Sequence, residues 1–206
     1  MVAPSAPSGP SPPSSSGTGV PPSGPSSSVR DPWTGAEVGR VVPADEARAE
    51  RAVVAAVAAF DRLRTRSSHD RKAMLARIAR SIEAAADTFA DLIARESGKP
   101  ITLARGEVAR AVSTLELGAE EATSITGEAM ALDVTATTRG YSGSWVRVPA
   151  GPVIALSPFN FPLNLAAHKL APALACGCSV VLKPPPQAPL TAMLLGEHAR
   201  RAAAPG

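Results

Sequence analysis

Two short apolar runs, Pro152-Val153-Ile154-Ala155-Leu156 and Ser179-Val180-Val181-Leu182, leave few folds open to this 206-residue chain. Runs of four or five residues, β-branched and bounded by Gly, Pro and Ser, are too short for helices and read as strands buried on both faces. The stretch between them, about residues 162–175, is long enough for a helix, and another follows at about 190–203. Strand, helix, strand, helix in that order is the βαβα start of a parallel, Rossmann-like sheet. Sheets of this kind take ligands beyond the carboxyl ends of their strands. A site is therefore expected near Asn160 and Lys183, where the chain leaves the two runs.

Upstream the pattern is helical. Aromatic residues make up only 3% of the chain and alanine dominates its apolar content, so helices should outnumber strands. Asp45 can cap a helix with Val53, Val54, Val57, Phe60 and Leu63/Arg64 at three- and four-residue steps. Ser67 or Ser68 opens a second, striped by Met74, Leu75, Ile78 and Ile82. Asp87 can start a third, with Phe89, Leu92 and Ile93 on one face, and Gly98-Lys99-Pro100 stops it. A fourth spans about 102–123, with Val108, Val112, Leu115 and Leu117 spaced to bury one side. A turn at residues 30–35 and an extended segment at 37–43 precede these helices. Residues 135–148 alternate Thr, Tyr, Trp and Val with Arg and Ser, which suits an extended hairpin or arm.

The expected organisation is a disordered Pro/Ser/Gly-rich tail over 1–28, an N-terminal helical region over 29–126 and an extended hairpin arm over 127–150. The first βαβα unit of an incomplete α/β sheet fills 151–206. The formal charge of +3 comes from arginines interspersed with acids, which argues against a nucleic-acid face. The absence of a run of about 18 apolar residues argues against a membrane span. Cys176 and Cys178 sit one residue apart, a spacing that suits neither an easy disulfide nor a CxxC site, and implies a reducing, cytoplasmic setting. They read as buried and unreactive, and His69, His168 and His198 have no second ligand at i+4, so no metal is expected.

Three residues carry most of the possible chemistry. Asn160 leaves the first strand, where an uncharged amide can donate N–H to an oxygen gaining negative charge without itself titrating; it could equally cap the following helix. Lys183 ends the second strand before Pro184-Pro185-Pro186, and its ammonium suits ribose hydroxyls or a phosphate, or simply solvent. Lys169, flanked by Ala167, Leu170 and Ala171, could relay protons or only extend its stem over the core.

In order and spacing, the segments Val148-Pro149-Ala150-Gly151-Pro152-Val153, Ser157-Pro158-Phe159-Asn160-Phe161-Pro162-Leu163, Lys169 to Cys178 and Val180-Val181-Leu182-Lys183-Pro184 together resemble the aldehyde dehydrogenase superfamily. Glu96-Ser97-Gly98-Lys99-Pro100, Glu107-Val108 and Gly127-Glu128 extend the likeness back to about Val29. The resemblance implies oxidation of a small-molecule aldehyde to a carboxylic acid with NAD or NADP, through a cysteine thiolate and a glutamate-activated water. It implies that Asn160 donates to the substrate oxyanion, that Lys169 relays protons, and that Phe161 and Leu165 lie beside the aldehyde. Ser157, Pro158 and Phe159 would line the nicotinamide side and Lys183 would meet the adenosine ribose. Pro186 stands where many NAD-using members carry a ribose-binding glutamate, which leaves NADP at least as plausible as NAD. The family's nucleophile, base and pyrophosphate loop follow residue 206, so the chain is expected to be inert alone, as an N-terminal portion of an enzyme that is a homo-oligomer in full-length relatives. The alternative is a non-catalytic nucleotide-binding or oligomerisation module.

Overall fold

The computed structural model describes residues 25–203. The tail expected over 1–28 lies outside these residues except for its last four, and two of those, Ser27 and Ser28, are already strand. Strands β1 (Ser27–Arg30) and β2 (Glu37–Val41) pair antiparallel. Their turn is held by Asp31, whose Oδ1 accepts from the amides of Trp33 at 2.8 Å and Thr34 at 3.1 Å, the local device that makes Asp a turn residue.

Four helices follow, α1 (Glu46–Leu63), α2 (Ser68–Ala84), α3 (Ala86–Ser97) and α4 (Ile101–Glu121). Asp45 caps α1 through Arg48 N at 2.7 Å, and Ser67 caps α2 through Asp70 N at 3.1 Å. Asp87 does not start α3 but sits in its first turn: α3 abuts α2 across Ala85 alone, leaving no room for a capping side chain. Gly98 ends α3 in the left-handed conformation, with φ 70°. A Cβ there would lie 2.7 Å from Pro32 Cγ, and the Trp33 indole donates to the Gly98 carbonyl at 2.8 Å. One glycine thus satisfies the helix end and docks the first hairpin.

Helix α4 runs through the centre, against α2, α3 and α5 (Asn164–Ala175). Met74, Leu75, Ile78 and Ile82 of α2, Phe89 and Ile93 of α3 and Leu115 of α4 are wholly buried around it, each contributing about 1.5–3 kcal/mol by leaving water. At Gly118 a Cβ would stand 2.9 Å from Ala171 Cβ, so the missing side chain lets α4 and α5 approach closely. The apolar stripe expected on α1 is not buried: among its residues only Ala56 is, while Val53, Val54 and Val57 are exposed. This helix lies outside the α2–α5 bundle, against β6, and turns its valines away from it. Leu117 is likewise exposed, because α4 aims Leu115 and Ala119 at the bundle instead.

An antiparallel hairpin, β3 (Glu128–Ala131) with β4 (Ser142–Trp145), projects next. The alternation at 135–138 is not extended; Ala136–Thr138 form a 3-10 turn closed by hydrogen bonds between the Thr135 and Thr138 side chains and backbones. Strands β5 (Val153–Leu156) and β6 (Val180–Lys183) pair in parallel across α5, and α6 (Pro189–Ala203) follows. Ala155, Val180 and Leu182 face the core. Ile154 and Leu156, on the opposite face by strand alternation, are 63% and 62% exposed. The expectation of strands covered on both faces therefore fails for β5 among the described residues, because α5 covers one face only. The far end of helix α6 is tied to α2, where Arg77 donates to Ala202 O at 2.8 Å, and to the turn before α2, where Arg66 donates to Ala203 O at 3.1 Å, cations meeting the negative end of a helix.

Candidate active site

The parallel register pairs Leu156 with Lys183, so the two chains leave the sheet side by side, and Ser157 N donates to Lys183 O at 3.2 Å just past the last pair. Ser157 is buried, whereas Pro158, Phe159, Asn160, Lys183 and Pro186 are exposed along that edge. The register thus sets Ser157 beside Lys183, and Pro158, Phe159 and Asn160 follow on the loop that leaves β5. Lys169 and Leu165 are half-buried within α5 and do not belong to this edge. Phe161 opens the approach to α5, its ring 4.1 Å from the Lys99 ammonium.

What fixes the Asn160 loop is a buried carboxylate. Helix α4 turns Ala104, Glu107, Val108 and Ala111 toward the core, and Glu107 is 0% exposed. Its Oε1 accepts from Leu163 N at 2.9 Å and Asn164 N at 3.2 Å. Its Oε2 pairs with the Lys99 ammonium, which also donates to the Asn160 carbonyl at 3.1 Å. A charged acceptor makes such bonds short and strong, and the pairing offsets the cost of burying the charge. One ion pair therefore grips the loop at Asn160 and again at Leu163 and Asn164. The N-cap of α5 is Leu163, which has no capping side chain. Glu107 supplies the acceptor in its place, so the helix-cap alternative for Asn160 does not hold, and the amide is left exposed at the sheet edge.

The same device recurs at α6. Glu96, 4% exposed on the core face of α3, accepts from Leu190 N at 2.8 Å through Oε2 and from Thr191 N at 2.9 Å through Oε1. Burial pushes its carboxyl above the ordinary carboxylate value, against the pull of those amides. Between the ordinary value and the raised one the folded chain keeps a proton that the unfolded chain has released. Glu96 therefore lowers stability as pH rises through that window. The urea midpoint of the wild type is expected to fall relative to that of Glu96→Gln as pH rises from 4.5; a difference constant across pH would refute the shift.

Sequence reasoning placed neither Glu96 nor Glu107 in a site. It also expected two buried thiols. Cys178 is buried, but Cys176 is exposed as the C-cap residue of α5. Both lie past the far end of a 12-residue helix, about 18 Å along its axis from the Asn160 loop. The helix rotation matters as well. Asn164 and His168 face α4: Thr114 Oγ1 lies 3.3 Å from Asn164 Oδ1 and 3.5 Å from His168 Nε2.

The chain as a whole is similar to known proteins. The sequence pattern of the aldehyde dehydrogenase family fits residues 20–206. The 3-sulfolactaldehyde dehydrogenase of Priestia megaterium is 42% identical over 68% of this chain and 30% of its own length. The succinate semialdehyde dehydrogenase of Acinetobacter baylyi is 35% identical over 86% of this chain and 36% of its own. The crystal structure of aldehyde dehydrogenase 21 from Physcomitrella patens, in complex with the reaction product succinate, superposes with a TM-score of 0.84 at 39% identity, covering 87% of this chain and 37% of that one. The chain thus spans about a third of the length of these relatives.

Proposed function

Because the chain belongs to the aldehyde dehydrogenase family, we propose that it supplies the oxyanion donor and one edge of the cofactor site for NAD(P)-dependent oxidation of an aldehyde to a carboxylic acid. The observation that carries this reading is the Asn160 amide, exposed at the carboxyl end of β5 on a loop gripped by Lys99 and Glu107. A loop held in place before reaction begins presents its side-chain amide to a developing oxyanion with little backbone reorganisation. Phe161 and Leu165 flank the aldehyde in this reading, and Lys169 moves protons from α5.

NAD or NADP, when bound, accepts the hydride. The edge formed by Ser157, Pro158, Phe159 and Lys183 fits such a group, because it joins an exposed ammonium to a strand end with free approach. Pro186 brings no carboxylate to repel a 2′-phosphate, which favours NADP at least as much as NAD. Cys176 and Cys178 lie too far along α5 to attack an aldehyde held at Asn160, so we assign them no catalytic role. The exposed β3–β4 hairpin is the element we assign to pairing with a second copy of the enzyme. No described helix is long and apolar enough to cross a membrane, and the cytoplasm is the compartment we propose. The named relatives act on a sulfonated aldehyde and a semialdehyde, and we carry an acidic aldehyde over as the substrate class.

Exchanging residues 29–203 into the Acinetobacter baylyi succinate semialdehyde dehydrogenase tests the reading. The chimera is expected to oxidise aldehydes with NADP+ at least as well as with NAD+. A folded chimera that binds nucleotide but turns over no aldehyde would favour a non-catalytic binding module instead.

A further inference from the structure

The positive charge beside Asn160 is not fully accounted for by its anchor. Lys99 is neutralised by Glu107, and Glu107 spends both oxygens on Lys99, Leu163 and Asn164. Arg110, one turn further along α4, has no carboxylate within salt-bridge reach among the described residues. Its guanidinium carbon stands 5.4 Å from the Phe161 ring centroid, and the side chain is exposed. Stacking on the ring occupies a face of the planar group and leaves its N–H donors pointing outward at the edges.

Polar side chains continue from this point along the seam between two helices. Arg110 and Thr114 are i, i+4 on α4, and Asn164 and His168 are i, i+4 on α5, so each pair shares a helix face. Thr114 touches both Asn164 and His168. Further along the same seam Gly118 of α4 closes on Ala171 of α5, and Ala111 and Ala167 are buried. The change from alanine to hydroxyl, amide and imidazole happens where the seam opens beside Phe161, the residue after Asn160.

We propose that Arg110, with Thr114, Asn164 and His168, forms a subsite for the carboxylate or sulfonate of an acidic aldehyde whose carbonyl reaches Asn160. The proposal rests on the aldehyde-oxidation reading above and adds to it the residues that select the substrate. A guanidinium binds a planar oxyanion through two parallel N–H donors, and the Thr114 hydroxyl, Asn164 amide and His168 imidazole supply polar atoms for the rest of it. Arg110 is the specificity residue and Asn160 the one that meets the reacting carbonyl.

The full chain is titrated with succinic semialdehyde and with butanal, an uncharged aldehyde of the same carbon number, while the backbone amides and the arginine side-chain N–H signals are followed by NMR. Succinic semialdehyde is expected to bind about tenfold more tightly than butanal, moving the Arg110 Nε–H and the Asn164 amide. Arg110→Met keeps the stem over Phe161 and removes the charge; it should bring the two aldehydes to equal affinity, and Arg110→Lys should restore part of the preference. Thermal unfolding of both variants should match the wild type, since the side chain is exposed. Preference unchanged in Arg110→Met, or equal binding of both aldehydes by the wild type at residues 157–164, overturns the subsite and leaves the aldehyde reading standing. Binding of neither aldehyde at those residues overturns both.

Discussion

Glu107→Ala is expected to lower the unfolding free energy by about 3–5 kcal/mol, the cost of leaving one partner of a buried ion pair alone. Lys99, with only 14% of its side chain exposed, would lose its counter-charge, and the amides of Leu163 and Asn164 would lose their acceptor. An amide buried without a partner costs about 1–3 kcal/mol by itself. A loss of this size is a large part of the roughly 5–15 kcal/mol that holds a typical domain folded. Glu107→Gln should cost less, because its carbonyl still accepts from the α5 amides while only the charge is lost. Urea titration at constant m-value measures both; a loss below about 1 kcal/mol for the alanine variant, within the range of exposed pairs, would show that the anchor carries no weight.

Asn160→Ala should behave in the opposite way, leaving the fold intact and damaging the chemistry. The side chain is exposed and caps no helix, so the change in stability should stay within about 0.5 kcal/mol. In the catalytic chimera the same substitution is expected to lower kcat by about 10²–10³-fold, the usual consequence of removing one oxyanion donor, with KM little altered. Asn160→Asp should be no better, since a carboxylate at that point repels the developing charge. A fall in kcat below about fivefold, smaller than any single oxyanion donor is expected to give, would remove Asn160 from the mechanism. Paired with Glu107→Ala, the comparison separates the group that acts from the group that holds it.

The parts of the fold that could be read from the residues are those whose causes are local. Asp45 and Ser67 cap helices through amides three residues away, and the βαβα order at 153–203 follows from run length and flanking Gly, Pro and Ser. The anchor was hidden because donor and acceptor are 56 residues apart for Leu163 and Glu107, and 94 for Leu190 and Glu96. A signal did exist. Glu96 continues the stripe of Phe89, Leu92 and Ile93, and Glu107 falls between Ala104 and Ala111 on the buried face of α4. A carboxylate on a core-facing position must find donors there, and two helix N-termini supply them.

Other differences trace to how helices rotate against one another, which periodicity alone leaves open. The valines of α1 have the right spacing for burial, yet the helix lies off the bundle and shows them to solvent. Helix α5 is turned by its close contact with α4 at Gly118 and Ala171. That rotation brings Asn164 and His168 against Thr114. A stripe in sequence specifies that a face exists; the partner helix decides which residue stands at its edge.

The most direct measurement is a crystal structure of the active chimera with nicotinamide cofactor and an aldehyde captured on the enzyme. The Asn160 side-chain nitrogen should lie about 2.7–3.1 Å from the oxygen that was the aldehyde's, with Lys99 still on the Asn160 carbonyl. An amide turned to solvent, with another group in contact with that oxygen, would contradict the account.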